Sequence, residues 1–162
     1  MVNFRISKPE AEKDIEFSHE AKVPGEIELK RVSESLNTLT IYLPGLNLIP
    51  PPPCLEFDEA ADDQISVMLT NYPVKASNLD KLHSVTIELD EGWQEEALYT
   101  MVTFRDGESI NKNRITIHAV GDGLYEIKWT GQYSAWHEDY GDRFMELNMR
   151  AMSKDNVHTP LS

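Results

Sequence analysis

Aromatic, acidic and histidine side chains are concentrated between residues 129 and 142 of this 162-residue chain, a segment that we predict to be a loop between two strands. Aromatic faces beside carboxylates suit a sugar, a cation or the basic side chain of a protein partner. The same aromatics recur at helical spacing, so a short amphipathic turn that covers the core is the simpler interpretation. The functional interpretation adds a tryptophan from an earlier acidic stretch, and its binding residues are Trp93, Tyr133, Trp136, His137, Glu138, Asp139, Tyr140 and Asp142.

The negative charge of the chain is clustered beside segments that read as β-strands. The three clusters are Glu56, Asp58, Glu59, Asp62 and Asp63, then Glu88, Asp90, Glu91, Glu95 and Glu96, then Glu138, Asp139 and Asp142. The formal net charge is −13, so the phosphates of nucleic acid and an anionic membrane would be repelled. We therefore expect neither as a partner, whereas a basic protein would be attracted.

The donor atoms of the third cluster are adequate for a divalent cation. His137 and the three acids offer one nitrogen and three carboxyl groups, but they lack the spacing of a calcium-binding loop. A zinc site is not indicated, because Cys54 is the single cysteine. No nucleophile elbow or phosphate-binding loop occurs either, so we expect no catalytic residue and no cofactor, although the donors allow a divalent cation such as calcium.

Three functions follow from these residues, in order of preference. The first is a non-catalytic binding module, a neutraliser or adaptor, whose acidic and aromatic loops bind a basic protein partner. The second is a calcium-assisted carbohydrate-binding module, and the third is a small hydrolase that uses paired carboxylates. The sequence also allows homo-oligomers.

Apolar and polar residues alternate in nine runs along the chain, which is typical of half-buried β-strands. We predict an all-β, mainly antiparallel fold, a β-sandwich or flattened barrel, formed by residues 1–162 as a single domain. Gly121, Asp122 and Gly123 predict a tight hairpin within residues 113–130. The nine runs are 2–6, 27–29, 39–43, 65–69, 85–89, 98–104, 115–119, 125–129 and 145–149.

Four segments depart from this alternation or carry other signals. Ser7 and Glu10 have the spacing of a capping box, so residues 7–22 form either one short helix or a connection with a short strand at 15–17. The four prolines 50–53 predict a stiff polyproline connection, and residues 153–162 predict a frayed tail. The N-terminus lacks the features of a secretory signal, which together with the lone cysteine favours the cytoplasm.

Overall fold

A computed structural model of the protein describes residues 2–8, 11–21, 24–34, 36–47, 64–75, 82–103, 107–134 and 142–154. These residues form twelve β-strands and no α-helix. All nine runs predicted from the alternation are strands wherever the structure describes them, which confirms the all-β prediction; residue 104 of the run 98–104 lies outside the described residues. The strands are β1 (Val2–Lys8), β2 (Ala11–Ala21), β3 (Gly25–Arg31), β4 (Asn37–Asn47), β5 (Gln64–Val74), β6 (Ser84–Leu89), β7 (Trp93–Glu95), β8 (Leu98–Thr103), β9 (Gly107–Ser109), β10 (Asn111–Gly121), β11 (Leu124–Ser134) and β12 (Asp142–Ser153).

The strands form one curled, mostly antiparallel sheet with the shape of a half-barrel. Nine of them follow the order β6-β10-β11-β12-β3-β4-β5-β8-β7, while β1 and β2 extend from β12 and β9 pairs with β8. The pairing of β12 with β3 is parallel. The strand β1 pairs with the earlier part of β12 and β3 with its last residues, so the sheet forks there and curls.

The N-terminal segment is a strand rather than the helix that the capping-box spacing allowed. The strand β2 runs antiparallel to β1, with Ile6 opposite Phe17 and Phe4 opposite His19. The register pairs β1 with Ala11, Ile15 and residues 17–21, with register shifts on either side of Ser7, so the sheet supplies backbone partners along β2. The helix alternative is therefore wrong, and the predicted short strand extends over Ala11–Ala21.

The core lies on the inner side of the curled sheet and contains the apolar residues of the alternating runs. Tyr125, Ile127 and Trp129 of β11, for example, are each at most 2% exposed. The predicted hairpin between β10 and β11 is confirmed, because Gly121, Asp122 and Gly123 all have positive φ angles. The polyproline run 50–53 and residues 155–162 lie outside the described residues, and Ser153 still belongs to β12.

Candidate functional site

Trp93 begins the three-residue strand β7 at one end of the sheet order. Its side chain is 50% exposed. The indole stacks on the ring of Tyr99 in β8, with ring centroids 5.4 Å apart and an angle of 18° between the planes. The stack fixes one face of the indole against the protein and leaves half of the side chain accessible to a partner.

The backbone that carries Trp93 is held on both sides by hydrogen bonds. The amide of Gly92 donates to the side-chain oxygen of Asn111 at 2.8 Å, and its carbonyl accepts from the amide of Thr100 at 2.8 Å. The carbonyl of Asp90 accepts from the amide of Lys112, also at 2.8 Å. Residues 90–93, which we call the Trp93 corner, are therefore bonded to β8 and to the start of β10.

A buried polar network lies beneath the Trp93 corner and centres on Asn113, which is 3% exposed. The side-chain oxygen of Asn113 accepts a hydrogen bond from the indole N–H of Trp129 at 2.8 Å. Its amide nitrogen donates to the hydroxyl of Thr100 at 3.0 Å and to the carbonyl of Leu89 at 3.1 Å. One side chain thus connects β6, β8, β10 and β11, and a satisfied network of this kind rigidifies its surroundings.

Exposed carboxylates surround the Trp93 corner. Asp90 and Glu91 belong to it, and Glu95 and Glu96 follow in and after β7, all with exposed side chains. Within the part of the chain that the structure describes, none of these four acids forms an ion pair. Their negative charge is therefore available to a basic partner.

Asp142 of the third cluster lies close to the same corner. It is the first residue of β12, its side chain is exposed, and it shares a cavity of about 140 Å³ with Asn111, Lys112 and Tyr133. Asn111 and Lys112 are also the residues that bond the Trp93 corner. Acids from two clusters that are far apart in sequence therefore flank the first two residues of β10.

The other predicted binding residues have different outcomes. The strand β11 continues to Ser134, so residues 129–134 are strand and not the predicted loop. Trp129 and Tyr133 are core residues, each at most 1% exposed. Tyr133 therefore contributes packing rather than an exposed contact. The remaining predicted residues lie outside the described residues and stay predictions; they are Trp136, His137, Glu138, Asp139 and Tyr140.

The described residues contain no group of three or more histidine, cysteine or acidic side chains that could hold a metal ion. The donors of the predicted calcium site are Asp142 and three residues outside the described ranges, so that site stays a prediction. The part of the chain that the structure describes also includes no helix with the length and apolar character needed to cross a bilayer.

Comparisons of the chain with protein-family models, with curated proteins and with solved structures find no match. The class that the fold and site define is a curled all-β protein with an exposed, acid-flanked tryptophan on a bonded corner. The Trp93 corner and its surroundings are therefore the features from which we infer a function.

Proposed function

We propose that the protein is a non-catalytic binding module, a neutraliser or adaptor, whose Trp93 corner receives a basic protein partner. The single observation that carries the proposal is the half-exposed indole of Trp93, held on a bonded corner and surrounded by four exposed acids without ion pairs among the described residues. We propose the cytoplasm as its location, since the chain has one cysteine.

The chemistry of the corner suits an arginine or lysine side chain. A cation over an indole face is attracted by the ring quadrupole, and nearby carboxylates add Coulomb attraction. Tryptophan is also among the residues that most often dominate binding energy at interfaces. Because Tyr99 and the backbone bonds already hold the corner, little conformational freedom would be lost on binding.

Reversing the charge of Glu91 and Glu95 should slow the association of a fluorescent nona-arginine peptide about tenfold at low salt, because clustered charge steers oppositely charged ligands. The variant combines Glu91→Lys with Glu95→Lys, and stopped-flow fluorescence measures the rate. The matched control combines Glu20→Lys with Glu34→Lys, which changes the net charge equally at two exposed positions outside the corner. Equal slowing by both variants would show that overall charge, and not the corner, attracts the peptide.

Replacing Trp93 by leucine should weaken nona-arginine binding about fivefold, because leucine retains apolar bulk but has no ring quadrupole. The measurement is the dissociation rate, since the loss of a short-range contact acts there rather than on long-range attraction. Trp93→Phe is the matched control and should retain part of the affinity. A Trp93→Leu variant that binds as tightly as the wild type would contradict the role of the indole.

A further inference from the structure

The outward side of the curled sheet has two regions that differ in chemistry. On β1, β10, β11 and β12 most outward positions are polar, although Val120 and Met152 are exposed there, and ion pairs join Arg5 to Glu146 and Arg150 to Glu126. The strand register aligns Arg114, Thr130, Glu146 and Arg5 in one row, and the Arg5 and Glu146 side chains form an ion pair at 3.8 Å. Such a face is typical of a surface that meets only water.

The outward face of β4, β5 and β8 is different, because no residue of these three strands is charged. The register aligns Tyr42, Met68 and Met101 in one row across them. Each is half-buried and alternates with core residues, and none of the three belongs to the core or packs against it. We call this row the apolar stripe, and its β8 end lies two residues along the strand from Tyr99, which stacks on Trp93.

Acidic residues lie on both sides of the apolar stripe. On the β3 side, Glu26 is opposite Tyr42 and Glu28 is opposite Thr40. Lys154 already pairs with Glu26 at 3.2 Å, so Glu28 is the acid left without an ion pair among the described residues on that side. On the β8 side, Met101 is next to Ser109 of β9, and β7 lies farther along β8, beside Tyr99 and Leu98. The exposed acids Glu91 and Glu95 of the candidate site are there.

We infer that the apolar stripe binds an extended segment of the basic partner, with apolar side chains at its centre and a basic side chain at each end. This inference rests on the proposed function and specifies the chemistry of the partner. The segment would lie between two neighbouring rows of the sheet. Its apolar centre would cover Tyr42, Met68 and Met101, and its basic ends would reach Glu28 and the Trp93 corner, which both lie in the next row, two residues along the strands. A second copy of this chain is a poor occupant, because the net charge of −13 makes two copies repel.

The sheet dimensions give the length of this segment. From β3 to β7 there are four strand spacings of about 4.8 Å, or about 19 Å in all. An extended chain rises about 3.3 Å per residue, so about seven residues cross the face. Alternate side chains of an extended segment face the same way, so the first and seventh residues are basic and the third and fifth apolar.

The test uses the peptide Arg-Ser-Leu-Ser-Leu-Ser-Arg and its control Arg-Ser-Ser-Ser-Ser-Ser-Arg, which has the same charge. Both are titrated into protein labelled with ¹³C at the methionine methyl groups, and NMR follows each methyl. The leucine peptide should shift the methyl signals of Met68 and Met101 and bind at least about fivefold more tightly than the control peptide. Met152 is 50% exposed on β12 and should not shift.

The double variant Met68→Gln with Met101→Gln should remove the difference between the two peptides, whereas Met152→Gln should retain it. Equal affinity of both peptides for the wild type, or equal shifts at Met152, would overturn the inference. Slowing of nona-arginine by the Glu91 and Glu95 reversals would still support the proposed function in that case. If the Met68 and Met101 signals instead shift with protein concentration alone, the stripe joins two copies and the inference is also overturned.

Discussion

Replacing Asn113 by leucine should lower the free energy of unfolding by about 3 kcal/mol. The substitution leaves the buried indole N–H of Trp129 without its acceptor and the carbonyl of Leu89 without the amide that donates to it. Each buried polar group that loses its partner costs about 1–3 kcal/mol, and the leucine restores only apolar packing. For a chain of this length the midpoint of thermal unfolding should fall by about 10 °C.

Chemical denaturation followed by tryptophan fluorescence measures this loss. The matched control is Asn148→Leu, since Asn148 lies half-exposed on the outward face of β12 and its side chain donates a hydrogen bond to the exposed-face residue Glu146. The control should change the free energy of unfolding by about 0.5 kcal/mol or less. Similar losses for the two variants would mean that the Asn113 network does not stabilise the fold.

Asn113 shows which features of this fold can be predicted from the sequence and which cannot. Asn113 lies two residues before Ile115 and is in phase with Ile115 and Ile117, so its inward position follows from the alternation, although no role was predicted for it. The partners of Asn113 could not be predicted in the same way. They lie on β6, β8 and β11, and only the long-range topology brings those strands together.

The strands that the sequence did not predict have physical explanations. The strands β7 and β9 have three residues each, which is too short for a period of two to be recognised. The loop predicted over residues 129–142 includes Gly131, and glycine is a common turn residue. In the structure Gly131 is buried in β11, where a Cβ atom would overlap the side chain of Ile110. This glycine permits close packing rather than a turn.

The candidate site was predictable only in part, because its contacts depend on which strands the long-range topology brings together. The composition of its acidic stretch singled out Trp93 as an anchor residue, and the structure places it at the surface. Tyr99 and Asn111, which hold the corner, carried no signal, because a single tyrosine or asparagine does not show which distant residue it will contact. The approach of Asp142 to Lys112 also depends on how β10 and β12 are arranged around β11.

Replacing Gly92 by alanine should destabilise the protein by about 3 kcal/mol, because the added Cβ would overlap the backbone carbonyl of Ile110. To relieve this overlap, the Trp93 corner must move away from the start of β10. That movement would break the hydrogen bonds that join Gly92 to Asn111 and Thr100. The same movement would displace Trp93 from Tyr99. We therefore expect Gly92→Ala to weaken nona-arginine binding even at temperatures where the variant remains folded.

The matched control for this substitution is Gly25→Ala. A Cβ at Gly25 would meet the sulfur and terminal methyl of Met149 at 2.5 and 2.9 Å, and those atoms end a flexible side chain that can rotate away. Its cost should be about 1 kcal/mol, with nona-arginine binding unchanged. Denaturant titration gives the two stabilities, and the peptide assay gives the two affinities. If Gly92→Ala bound nona-arginine as tightly as Gly25→Ala, the bonded corner would not be what presents Trp93 to a partner.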